Sequence, residues 1–114
     1  MPLLSIEISL ALEAPAIDAL LGEASGLVAG LLGKPESYMM VRHQYNPAMR
    51  LGGHDAPLAL IELRSIGLPE TAPAELSKAL CALLERHAGI PGTRVYLLFA
   101  DVPRARWGHN GTTL

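Results

Sequence analysis

The sequence predicts an α+β fold, in which two β-α-β units form one four-stranded mixed sheet with both helices on a single face. Three observations carry this. Apolar and polar residues alternate from Leu4 to Leu10, a long helical stripe follows at once, and the same order of elements returns in the second half. The halves are also punctuated alike. Gly33-Lys34-Pro35 and Gly89-Ile90-Pro91 each end a helix and launch a strand, 56 residues apart. A period near half the chain is an organisational signal, and 114 residues suit one domain over 1–114.

In the first strand Leu4, Ile6, Ile8 and Leu10 alternate with Ser5, Glu7 and Ser9, as expected where one face is buried. Ile17, Leu20, Leu21, Ala24, Leu27, Val28, Leu31 and Leu32 then trace a stripe at helical spacing. Pro15 suits the first turn of that helix and Gly33 its end. Tyr38 to Tyr45 reads as a strand leading into a Pro- and Gly-rich loop, Asn46 to Pro57. Leu58 to Ile66 is a long apolar strand, expected inside the sheet. A second helix runs from about Pro73 to Ala88, with Leu76, Leu80, Leu83 and Leu84 inward and Thr71 near its cap. Arg94 to Ala100 is the next strand, and a short segment around Trp107 closes the chain.

Each helix crosses between two parallel strands with a right-handed connection, which leaves both helices on one face. The opposite face is expected to be apolar and uncovered, and so to need a partner. Half the residues are hydrophobic and 18% charged, which agrees with a buried subunit interface in so small a chain.

Several classes are set aside. The net charge is −2, with no basic cluster along the chain, so nucleic acid is not an expected partner. MPLLSIEISL lacks a positive n-region and carries Glu7, unlike a signal peptide. Charges interrupt the apolar tracts within about ten residues, so no membrane span is expected. Cys81 is the single cysteine, in keeping with a reducing, cytoplasmic setting. His43, His54, His87 and His109 have no metal-ligand spacing, so neither a metal nor a cofactor is expected.

Pro2 is the residue with chemistry to offer. It stands directly behind Met1, which is removed when the next side chain is small. The mature chain would then begin with a secondary amine. An unperturbed α-amine titrates near about 7.7–8, so modest pressure leaves it neutral at pH 7 and able to act as a general base. A Met-Pro start is equally compatible with no chemistry at all.

Pro2 opens a strand, Gly33-Lys34-Pro35 follows the first helix, and Ser65-Ile66-Gly67 ends the third strand. Arg94-Val95-Tyr96 and Trp107-Gly108-His109-Asn110-Gly111 complete the set. In this order and over this length the chain resembles the tautomerase superfamily, within it the branch of macrophage migration inhibitory factor and D-dopachrome tautomerase. The resemblance implies a homotrimer whose sheets surround a central channel, with active sites at the subunit interfaces. It implies that Pro2 is the catalytic base and that Lys34 binds a substrate carboxylate. It further implies that the backbone N–H of Ile66 faces the substrate and that Tyr96 enters the pocket from a neighbouring subunit.

The departures from the animal proteins are equally specific. Leu98 stands where they carry a pocket asparagine, His109 where they have a tryptophan, and Trp107 where they have valine. Leu114 replaces a pocket phenylalanine, and Leu58 and Ile61 occupy their Cys-x-x-Cys, which excludes thiol–disulfide chemistry there.

Plainer roles stand beside these. Lys34 is also suited to a solvated helix C-terminus, Tyr96 to an interface aromatic, Ile66 to the core and His109 to the surface. Cys81 suits a buried thiol, and Glu62 with Arg64 a structural ion pair across the channel. The expected function is a cofactor-independent keto–enol tautomerase for small α-keto acids such as phenylpyruvate. The alternatives are a trimeric interaction protein that binds a protein receptor, as the animal cytokine does, and a trimeric scaffold without a site. The family also allows export without a signal peptide.

Overall fold

Strand β1 (Pro2–Ile8) lies at the middle of the sheet, parallel to β2 (Met40–Tyr45) and antiparallel to β3 (Ala59–Ser65). β3 in turn pairs in parallel with β4 (Val95–Asp101), giving the order β2-β1-β3-β4. Each β-α-β unit therefore contributes one central and one edge strand, and the two units meet antiparallel at β1 and β3. The computed structural model describes residues 1–114.

The period-two pattern does what it predicts. Leu4, Ile6 and Ile8 sit opposite Leu63, Ile61 and Ala59, and all six are buried. Helix α1 (Ala14–Leu32) covers them with Leu20, Ala24 and Val28, and helix α2 (Ala72–Ala88) with Leu76, Leu80, Leu83 and Leu84. Full burial of each such leucine or isoleucine is worth roughly 1.5–3 kcal/mol. By length and composition α1 could cross a membrane. Leu20, Ala24 and Val28 instead form a fully buried stripe against the sheet core.

Both predicted helix stops adopt the left-handed conformation that favours glycine: φ is +63° at Gly33 and +66° at Gly89. At the first stop, the Lys34 N–H reaches back to the Ala29 carbonyl at 3.0 Å. The residues after the two stops diverge in use. Ile90 is fully buried in the core, whereas Lys34 leaves the core at the start of the site. Thr71 does not cap α2 through its side chain; it sits in a helical backbone conformation (φ −82°, ψ −17°), with its hydroxyl making no cap bond.

The face away from the helices is less apolar than expected. Its central rows carry Ser5, Glu7, Arg42, Gln44, Glu62 and Arg64 around Leu3 and Leu60. The alternation that buries Leu4, Ile6 and Ile8 places their polar neighbours on this side. Exposed apolar residues on this face lie at the edges instead: Met40 on β2, Tyr96 and Leu98 on β4. Arg64 pairs with Glu62 of its own strand at 3.6 Å, so this ion pair needs no second chain. Cys81 is half-buried beside Gly92 rather than fully enclosed, and burial pushes its thiol up.

Arg94 anchors the long loop. Its guanidinium donates to the carbonyls of Leu51, His54 and Ala56 at 2.8, 3.0 and 2.7 Å. The segment around Trp107 is a 3-10 turn (Arg104–Arg106) and a tight hairpin, β5 (Gly108–His109) and β6 (Thr112–Thr113). Asn110 and Gly111 form its turn with φ of +52° and +80°, the left-handed pair that Asn-Gly accommodates.

Candidate active site

The site forms where β1 begins and β3 ends. Pro2 pairs with Ser65, and Ser65 with Asp101 of β4, so the start of the chain meets the C-terminal ends of two strands. Val102 N–H binds the Ser65 carbonyl at 2.9 Å, and Asp101 accepts from Leu68 N–H at 3.1 Å. Between these ties Ile66 follows the end of β3 as a buried residue, and Gly67 comes next at φ +67°.

Lys34 arrives from the other unit. The cap at Gly33 fixes its backbone, and its ammonium donates to the Ile66 carbonyl. Ile66 N–H donates to the Met1 carbonyl at 3.4 Å. The chain terminus, the Ile66 peptide and the Lys34 ammonium are thus linked by direct hydrogen bonds. Expected to face a substrate, the Ile66 N–H here meets Met1 instead.

Two cavities flank the terminus. One, of about 490 Å³, is lined by Met1, Lys34, Tyr38, Ile66, Arg104 and Leu114 among others. The second, of about 530 Å³, shares Met1 and Tyr38 and adds Pro2, Arg64, Trp107 and His109. The Met1 α-amine is held below its ordinary value of 8.0, first by burial, then by the charges of Lys34 and Arg104. That amine stands one residue ahead of the secondary amine that Pro2 would present after Met1 is removed.

This fold is shared with known proteins. The family described as "Macrophage migration inhibitory factor (MIF)" matches residues 1–114. The chain belongs to the macrophage migration inhibitory factor family.

A macrophage migration inhibitory factor homolog of Trichuris trichiura is 35% identical over 117 aligned residues, covering 99% of each chain. The solved homologue from Prochlorococcus marinus is 40% identical with a TM-score of 0.92, covering 97% of each chain. The Toxoplasma gondii macrophage migration inhibitory factor is 35% identical with a TM-score of 0.94, covering 98% of this chain and 99% of its own.

This macrophage migration inhibitory factor family member places Pro2 at the start of a central strand. Pro2, Lys34, Ile66, Trp107 and His109 all gather around the terminus. Tyr96 and Leu98 do not. They pair with Leu60 and Glu62, whereas the Pro2 row runs through Ser65 and Asp101. Tyr96 thus lies five residues along the strand from that row, roughly 16 Å at the usual strand rise. Both side chains are more than half exposed on an open edge strand. One chain cannot bring them to its own Pro2.

Sequence reasoning passed over Arg104 and Tyr38. Arg-Ala-Arg after Pro103 was the available signal for the first. Its side chain reaches the site only because the 3-10 turn folds that segment against the terminus.

Proposed function

We propose that this protein is a cofactor-independent keto–enol tautomerase for small α-keto acids such as phenylpyruvate, with the Pro2 amine as general base after Met1 is removed. The observation that carries the reading is the contact between Ile66 N–H and the Met1 carbonyl, beside the Lys34 ammonium. Loss of Met1 frees that N–H and leaves a donor and a cation next to the new terminus. A substrate oxygen then takes the place of the Met1 carbonyl, and the substrate carboxylate binds Lys34.

The chemistry follows from that arrangement. The neutral Pro2 amine takes a proton from the carbon next to the ketone, and the C–H electrons form the enolate C=C as the carbonyl oxygen gains charge. Lys34 and the Ile66 N–H stabilise that oxygen. The protonated amine then delivers its proton to the oxygen, giving the enol and restoring the base. The reverse sequence converts enol to ketone. The burial and nearby cations that lower the Met1 amine's pKa act in the same way on the Pro2 amine one residue on, which favours its unprotonated form near pH 7.

The reading includes a homotrimer, because Tyr96 and Leu98 can line a site only next to another copy's Pro2. A trimeric interaction protein that binds a protein receptor, with vestigial turnover, is the second reading. It draws on the exposed Tyr45, Tyr96 and Leu98 along the sheet edges. One experiment separates the two: ketonisation of enol phenylpyruvate by protein whose intact mass shows that Met1 is gone. Turnover supports the tautomerase. A mature, folded protein with no turnover would leave the interaction protein in front.

A further inference from the structure

Arg104 has no task in the proton transfer described above, yet it lines the same cavity as Lys34, Ile66 and Met1, the residue directly ahead of Pro2. Neither Lys34 nor Arg104 makes an ion pair with any carboxylate of the chain. No aspartate or glutamate side chain lines this cavity or the adjoining one, which adds Arg64 and Arg106. Four of the protein's nine lysines and arginines therefore surround the terminus, in a chain whose net charge is −2. Only Arg64 among them has an acidic partner.

One carboxylate and one enolate oxygen occupy Lys34 and the Ile66 N–H. The α-carboxylate of Leu114, which lines the same cavity, makes no ion pair with Arg104, so a monoanionic keto acid would leave the guanidinium unpaired. We propose that Arg104 is a second anion anchor and that the preferred substrates are α-keto acids bearing a second carboxylate. The guanidinium offers a planar fork of donors matched to a carboxylate, which a point charge would not. The proposal rests on the tautomerase reading for its chemistry and on cavity geometry for the anchor. The Arg104 charge also contributes to the low pKa of the amine, but that effect acts on every substrate alike. A preference between substrates isolates the anchor.

A matched pair tests it: 2-oxoglutarate and 2-oxopentanoate share a five-carbon keto-acid chain and differ in the distal carboxylate. Exchange of the C3 protons in D₂O, followed by NMR, reports removal of a proton by the base and return of a deuteron. Mature wild-type protein should exchange 2-oxoglutarate with a kcat/KM about tenfold or more above that for 2-oxopentanoate, as for a charge-assisted contact. Arg104→Gln should bring the ratio to within about twofold, and Arg104→Lys should restore part of it. Arg50→Gln, which removes an equal charge at the distant loop, should leave the ratio unchanged.

If exchange proceeds but Arg104→Gln leaves the ratio as it was, the anchor is overturned while the tautomerase stands. If mature protein exchanges neither acid, turnover of enol phenylpyruvate decides the tautomerase reading, and calorimetric titration with the same pair decides the anchor. Tighter binding of 2-oxoglutarate that disappears in Arg104→Gln supports it, and equal binding of the two acids overturns it.

Discussion

Lys34 and Ile66 belong to opposite halves of the chain, yet the lysine ammonium is hydrogen-bonded to the isoleucine carbonyl. The bond closes the gap between the end of α1 and the end of β3. It holds a cation where the first strand begins. Ile90, which follows the second helix stop as Lys34 follows the first, is buried in the core. The same local motif has therefore been put to packing in one half and to chemistry in the other.

The first prediction concerns the terminus. Protein that retains Met1 should have no tautomerase activity, because an amide nitrogen accepts no proton near neutral pH and the Met1 carbonyl occupies the Ile66 N–H. Pro2→Gly keeps a terminal amine but loses the ring that aims it, and should lower kcat/KM by about 100-fold or more while the fold persists. Intact mass and circular dichroism accompany the assay. Full activity in protein shown to carry Met1 would refute this mechanism.

Removal of Lys34 should act in two ways. Lys34→Ala should raise KM for keto acids by about tenfold through loss of a charged contact. It should also move the kinetic pKa of the base. The Met1 amine is held below 8.0 by burial and by the Lys34 and Arg104 charges. The same causes should act on the Pro2 amine one residue on, so in the mature parent protein log kcat/KM should rise with pH and level off below 8.0. With one cation gone the protonated amine is less disfavoured, so the plateau should begin at higher pH. An unchanged pH profile would mean that Lys34 is remote from the base.

Light scattering should report three chains per particle. Tyr96→Ala and Pro2→Gly should each be nearly inactive alone. Mixed during refolding, they should regain measurable activity, because some interfaces then pair an intact Pro2 with an intact Tyr96. Failure of the mixed protein to recover, with trimers confirmed, would place Tyr96 outside the site.

The stability of the fold should fall towards acid in a window set by His43. Burial holds the His43 pKa below its ordinary 6.5, and its Nε2 has no hydrogen-bond partner. The unfolded chain therefore binds more protons here than the folded one, so stability is complete above 6.5 and declines as pH drops through that value. Glu23 adds a lower window. Its carboxylate is held below 4.5 by His87 and Arg86, and that contribution fades as pH falls past its folded pKa. Thermal melts between pH 8 and 5 should show the first decline, and His43→Gln should flatten it.

The chain by itself determined the elements and several of the chemical groups. Alternation from Leu4 to Ile8 established which face of β1 is buried, and the leucine stripe did the same for α2. In α1 only Leu20, Ala24 and Val28 of the expected stripe are fully buried, and Leu31 is exposed. Gly33 and Gly89 marked the helix ends because left-handed backbone costs glycine little. Pro2 was legible from its position behind Met1. What it could not decide was adjacency. A period of two names the buried face of a strand but not its neighbour, so the antiparallel meeting of β1 and β3, which sets Ile66 beside the terminus, belongs to the tertiary structure. The polar character of the open sheet face depended on that same arrangement, because it sums the outward residues of strands distant in sequence. No run of basic residues exists along the chain, yet Lys34, Arg64, Arg104 and Arg106 converge. They meet because the fold brings three separate segments to one end of the sheet.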